Sequence, residues 1–135
     1  MKKLILFLLM VTFLQARDIA VVVSNNFDFS ELSKSQIKRL FLSKTNRVNN
    51  TRVRVIELHA NSYKDRFYKE ISGKSKSQLR SYWTTLIYTG KAKPPKQINN
   101  MNELLQELHE TRNVITYIPI DEITDDMKVL YTMKD

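Results

Sequence analysis

The chain has 135 residues, 22 lysines and arginines against 14 aspartates and glutamates, a formal net charge of +8, and no cysteine. That length suffices for one hydrophobic core and not for two, and the missing thiol excludes disulfides, zinc–thiolate sites, a thiol nucleophile and a lipid-modified cysteine. A basic balance favours anionic partners such as small oxyanions, lipid headgroups or nucleic acid, although charge also serves plain solubility.

The N-terminus comes first. Met1-Lys2-Lys3 is a short basic start, Leu4 to Leu14 is apolar except for Thr12, and Gln15-Ala16 gives way to Arg17-Asp18. A charged start, an apolar stretch and a small residue at the cut describe a secretory signal over residues 1–16. A membrane-spanning helix needs ~20 apolar residues, more than this run supplies. Cleavage after Ala16 leaves one domain, residues 17–135, with a net charge of +6, in the periplasm or outside the cell. Leu14 stands where a small residue is more usual, so an uncleaved tether is the alternative.

Asp18 to Ser24 is a continuous, β-branched apolar run, as expected of a strand covered on both faces and hence of a buried parallel strand. Asn25-Asn26 ends it. Ser33-Lys-Ser-Gln36 is a capping box ahead of Ile37, Leu40 and Phe41, which predicts a short amphipathic helix. Residues 43–51 are polar and read as a loop, after which Arg52 to Leu58 alternates like a strand. Tyr63, Phe67, Tyr68 and Ile71 have helical spacing up to Gly73, suited to a left-handed helix end. A second box, Ser75-Lys-Ser-Gln78, opens a helix that places Leu79, Tyr82, Trp83, Leu86 and Ile87 on one face, expected to be buried. Lys91 to Lys96, with Pro94-Pro95, reads as an extended basic loop. Asn100 and Glu103 start another helix with Leu104, Leu105 and Leu108, Asn113 to Ile118 is a strand stopped by Pro119, and Lys128 to Thr132 predicts a last strand. Strands alternating with helices argue an α/β domain with a mostly parallel sheet.

Little here supports catalysis. His59 and His109 have no partner at a metal-ligand spacing, and two glycines cannot build the usual phosphate loop or nucleophile elbow. An enzyme is therefore not expected, nor a cofactor. Arg52, Arg54, Lys64, Arg66, Lys69, Lys74, Lys76, Arg80, Lys91, Lys93 and Lys96 crowd the middle of the chain, but they are spread over several elements, with the aromatics at core spacings. Nucleic-acid binding is not expected. Anion binding is the surviving chemistry. At His59-Ala-Asn61-Ser62-Tyr63 a strand end runs into a helix start, where free N–H groups and the helix dipole favour an oxyanion. Asn25 and Asn26 would face it if both strand ends lay on one edge of a parallel sheet. The alternative is that Asn61 or Ser62 only caps the helix.

In order along the chain, Leu32-Ser-Lys-Ser-Gln-Ile-Lys-Arg-Leu-Phe-Leu-Ser-Lys44, Val53-Arg-Val-Ile56, Phe67-Tyr68, Ser-Gln-Leu-Arg-Ser-Tyr82-Trp83, Tyr88-Thr-Gly-Lys91 and Pro94-Pro95 resemble a short periplasmic family related to the substrate-binding proteins of phosphate ABC transporters. The resemblance spans nearly the whole of residues 17–135. It implies a single lobe of the type II periplasmic-binding-protein fold, a phosphate-like ligand and a transporter or envelope partner. The Ser-Gly-Thr that cradles phosphate in full-length binders is replaced at the matching Asn61, Ser62 and Tyr63, and Ser43 stands where the family has glycine. The alternative function is an adaptor recognising a partner protein or an anionic envelope surface through its basic middle.

Overall fold

The computed structural model describes residues 17–135; the expected signal at 1–16 lies outside the described residues. Among the described residues, seven strands and four α-helices run in chain order: β1 (Ile19–Ser24), α1 (Lys34–Phe41), β2 (Arg47–Val48), β3 (Thr51–Arg52), β4 (Arg54–Leu58), α2 (Lys64–Ser72), α3 (Lys76–Tyr88), β5 (Lys96–Ile98), α4 (Met101–Glu110), β6 (Val114–Pro119) and β7 (Met127–Met133), with a 3-10 turn at Ile120–Glu122. Five strands form one sheet in the order β5-β4-β6-β1-β7. β4 is parallel to β5 and to β6, whereas β1 is antiparallel to both β6 and β7. Four strands thus point one way and β1 alone runs against them, so the sheet is mixed and mostly parallel. The expectation of a parallel β1 is corrected. All six of its residues are buried, and burial on both faces makes a run apolar whichever way its neighbours run.

The pleat of β1 divides the core. Ile19, Val21 and Val23 face the layer of α1, α2 and α3 with Phe41, Phe67, Tyr68 and Tyr117, while Ala20 and Val22 face α4 through Leu104 and Leu108. Phe67 and Tyr117 stack at 3.7 Å between ring centres, with Phe41 set edge-on to both. The capping boxes form at Ser33 and Ser75, and Asn100 caps α4.

Three further expectations are corrected. In place of the expected loop at 43–51 the chain builds a hairpin, β2 with β3, that extends to Arg52, turning at Asn49 and Asn50 with φ of 46° and 68°, the left-handed pair that a two-residue turn needs. The expected loop at Lys91–Lys96 stops one residue early, because Lys96 already belongs to the edge strand β5. The α3 face is open: only Leu79 is buried, Tyr82, Trp83 and Leu86 are half-buried, and Ile87 is 58% exposed. Helical spacing aligns a face, but whether the fold covers it depends on neighbours distant in sequence.

Candidate functional site

β4 and β6 share two register pairs, Arg54 with Val114 and Val55 with Ile115, and then diverge, β4 continuing beside β5. Where they part, the Thr116 hydroxyl donates to the Ile56 carbonyl at 2.7 Å. The last bond of β4 is the His59 N–H to the Ile98 carbonyl, 2.9 Å. The chain then turns through Ala60, Asn61 and Ser62 into α2, and Asn61 Nδ2 donates back to the Leu58 carbonyl at 3.3 Å.

Tyr63 holds the cap position of α2 and supplies no side-chain bond to the first turn. The simple capping role for Asn61 or Ser62 is therefore corrected: Ser62 is exposed, and the Asn61 amide turns toward the strand. α1, α3 and α4 each have a side-chain cap, whereas the first-turn N–H groups of α2 receive none and carry the positive end of the helix dipole. Beside them, Asn61 Oδ1 and the Tyr63 hydroxyl are buried with no partner among the described residues. The Tyr63 ring meets Tyr117 edge-on at 5.8 Å. Burial pushes its hydroxyl up to about 12, helped by the charge of Glu122, so at neutral pH it is a donor.

Beneath this junction lies a group that sequence reasoning missed. Glu57, 2% exposed, receives Tyr68 OH at 3.0 Å, Tyr117 OH at 2.8 Å, Gln97 Nε2 at 2.9 Å and Lys64 Nζ at 3.2 Å. Burial first, and then the Glu57 charge, hold both tyrosines well above their ordinary value. Lys64, in the first turn of α2, is thus already paired. The junction offers N–H groups and neutral donors above a fixed carboxylate, which favours a weakly held anion over a tightly held one.

Asn25 and Asn26 stand elsewhere. Val23 of β1 pairs with Ile115, at the start of β6, so the end of β1 lies on the edge where β4 and β6 begin, opposite Asn61 and Ser62. The Asn25 N–H donates to the Asp126 carbonyl at 2.9 Å, and its side chain reaches the Asp125 carbonyl at 3.2 Å. Ser24 Oγ bonds Asn26 Oδ1. The reversal of β1 is what separates the two asparagine pairs. His59 is exposed, and His109 Nδ1 meets Asp126 Oδ2 at 2.7 Å.

The starting edge of β4 and β5 carries a second feature, a cleft of ≈ 630 Å³ between the end of α1, the start of β4 and the loop after α3. Lys44, Arg52, Arg54, Lys91, Lys93 and Lys96 line it, over an apolar floor that includes Val53 and Pro95. Arg54 and Lys96 share Glu107, at 3.6 and 2.9 Å. The other four make no ion pair among the described residues.

No family model matches this sequence, and no curated protein matches it significantly. Solved structures do. The chain is similar to an ABC-type phosphate transport receptor from Vibrio cholerae, with a TM-score of 0.62 at 12% identity. It is also similar to a putative phosphate ABC transporter substrate-binding protein from Clostridium perfringens, solved with bound phosphate, with a TM-score of 0.61 at 16% identity. Each match covers 84% of this chain and 45% of the other, so the chain spans less than half the length of these structures. The fold of this chain is thus similar to that of part of these phosphate transport proteins.

Proposed function

We propose that this chain is an exported, non-enzymatic solute-binding-type domain that receives phosphate or a similar oxyanion at Asn61, Ser62 and the first turn of α2, in the service of an ABC transporter. The observation that carries this is the uncapped start of α2, beside two unpartnered buried polar atoms, on the fold of phosphate transport receptors. The N-terminal secretory layout supports the periplasmic assignment. Backbone N–H groups hold the anion, the neutral Tyr63 hydroxyl is a further donor, and Glu57 repels it from below.

An oxyanion held by one wall stays in contact with water. Its attraction is then screened over ~8 Å at physiological ionic strength, so binding is weak and falls with salt. Calorimetric titration with phosphate and with sulfate at low salt tests this. Saturable binding is expected, weakened by Asn61→Ala with Ser62→Ala and strengthened by Glu57→Gln, which removes the repelling charge and releases Lys64. No heat from either anion at millimolar concentration, or affinity indifferent to both substitutions, would remove the proposal.

A further inference from the structure

The most exposed large apolar side chains and the basic cleft belong to one continuous surface. Tyr88 is 91% and Ile87 58% exposed, and they end α3 one turn beyond the half-buried Trp83. Gly90, with φ of 66°, turns the chain back so that the Lys91 N–H bonds the Leu86 carbonyl at 3.1 Å. Lys91 and Lys93 therefore sit beside this apolar tip and also line the cleft with Lys44 and Arg52. Ser43 Oγ donates to the Lys93 carbonyl at 2.6 Å, and Tyr82 OH donates to the Leu42 carbonyl at 2.6 Å. These two bonds tie the loop and α3 to the end of α1, so the tip and the cations are held in a fixed relation.

We infer that this surface docks on an anionic phospholipid membrane, with Ile87 and Tyr88 entering the headgroup boundary and Lys91, Lys93, Lys44 and Arg52 meeting lipid phosphates. Three features select this occupant. A second copy of the chain would bring the same cations against their like, in a domain (residues 17–135) of net charge +6. A protein partner would need a cavity matched to a protruding tyrosine, whereas a bilayer admits a protrusion without one. An aromatic and an aliphatic tip flanked by lysines is also the composition that lies in an interface. The surface is at the opposite edge of the sheet from Asn61, so it is independent of the oxyanion proposal.

Protein purified from cells expressing the full sequence is titrated with vesicles of phosphatidylcholine alone and of phosphatidylcholine with phosphatidylglycerol, by cosedimentation and by emission of Trp83, the one tryptophan. Binding is expected only with phosphatidylglycerol, with a blue shift of Trp83, and it should fall at high salt. Lys91→Gln with Lys93→Gln should weaken it about 25-fold, at roughly fivefold per cation near the surface. Lys69→Gln with Lys134→Gln, which lowers the net charge equally at two other exposed positions, should have far less effect. Ile87→Ser with Tyr88→Ser should weaken binding and abolish the blue shift. Equal loss in the two lysine pairs would reduce the effect to net charge and overturn the inference, as would equal binding to both vesicle types. Retention on immobilised polyglutamate without binding to phosphatidylglycerol vesicles would overturn it in favour of an acidic protein partner.

Discussion

Replacing Glu57 with alanine should be among the most damaging single changes in this chain. The carboxylate is buried and holds two tyrosine hydroxyls, the Gln97 amide and the Lys64 ammonium, all between 2.8 and 3.2 Å. Glu57→Ala strands the Tyr68 and Tyr117 hydroxyls in the core, and a buried donor without an acceptor costs ~1–3 kcal/mol. Lys64, 28% exposed along its side chain, turns to water and recovers part of its loss. The sum is ~3–5 kcal/mol, the range found when one partner of a buried ion pair is removed, and at roughly 3–5 °C per kcal/mol the midpoint falls by ~10–20 °C. Glu57→Gln keeps an acceptor oxygen for the tyrosines and loses only the charge assistance, for ~1–2 kcal/mol. The arrangement also predicts coupling. Tyr68→Phe should cost less in the Glu57→Ala background than in the native chain, by about 1 kcal/mol, because its hydroxyl has already lost its acceptor. Urea unfolding of the four proteins in the cycle measures this. A cost below about 1 kcal/mol for Glu57→Ala, together with additive effects of the two changes, would refute the network as a source of stability.

Two other outcomes arise from the same packing. Burial raises the hydroxyls of Tyr63, Tyr68 and Tyr117, Tyr63 to about 12 from an ordinary 10.0, so each stays neutral in the fold where the unfolded chain would ionise; this stability is complete below pH 10 and is lost as pH rises through the raised folded values. Absorbance at 295 nm should therefore show late tyrosine ionisation coinciding with cooperative unfolding above pH 10, and three ordinary, non-cooperative titrations of these residues in the folded chain would contradict it. Trp83→Ala should cost about 1–2 kcal/mol and not the ~3–5 of a fully buried aromatic, because the α3 face is open; a larger loss in thermal denaturation would mean that something covers the face.

Interactions between neighbours in sequence were legible along the chain. Ser33, Ser75 and Asn100 cap their helices because a cap is a bond across three residues. The strand-to-helix junction at Asn61 and Ser62 was visible for the same reason. Glu57 was hidden: between Ile56 and Leu58 an acidic residue in an alternating strand looks like the solvent-facing position. It is buried under Tyr68, one helix later, and Tyr117, far along the chain on β6, whose hydroxyls both donate to it. β5 was hidden for another reason. Lys96-Gln97-Ile98 has neither length nor apolar alternation, and it is a strand because β4 offers it an edge.

The direction of β1 had the largest consequence for function, because it decides which polar turns can meet. Had β1 run parallel to β4, Asn25 and Asn26 would have opened toward Asn61 and Ser62, and the asparagines would have formed the two walls of one anion site. Reversed, β1 delivers its asparagines to the other edge, where Asn25 bonds backbone at Asp125 and Asp126. The junction proposed for an oxyanion is thereby left with α2 alone, above the Glu57 carboxylate that already pairs with Lys64. Four cations without an ion pair among the described residues, Lys44, Arg52, Lys91 and Lys93, line the cleft at the edge where β4 and β5 begin. The two ends of the sheet thus differ in kind: one presents neutral donors suited to a single small anion, the other a field of positive charge suited to many phosphates on an extended surface.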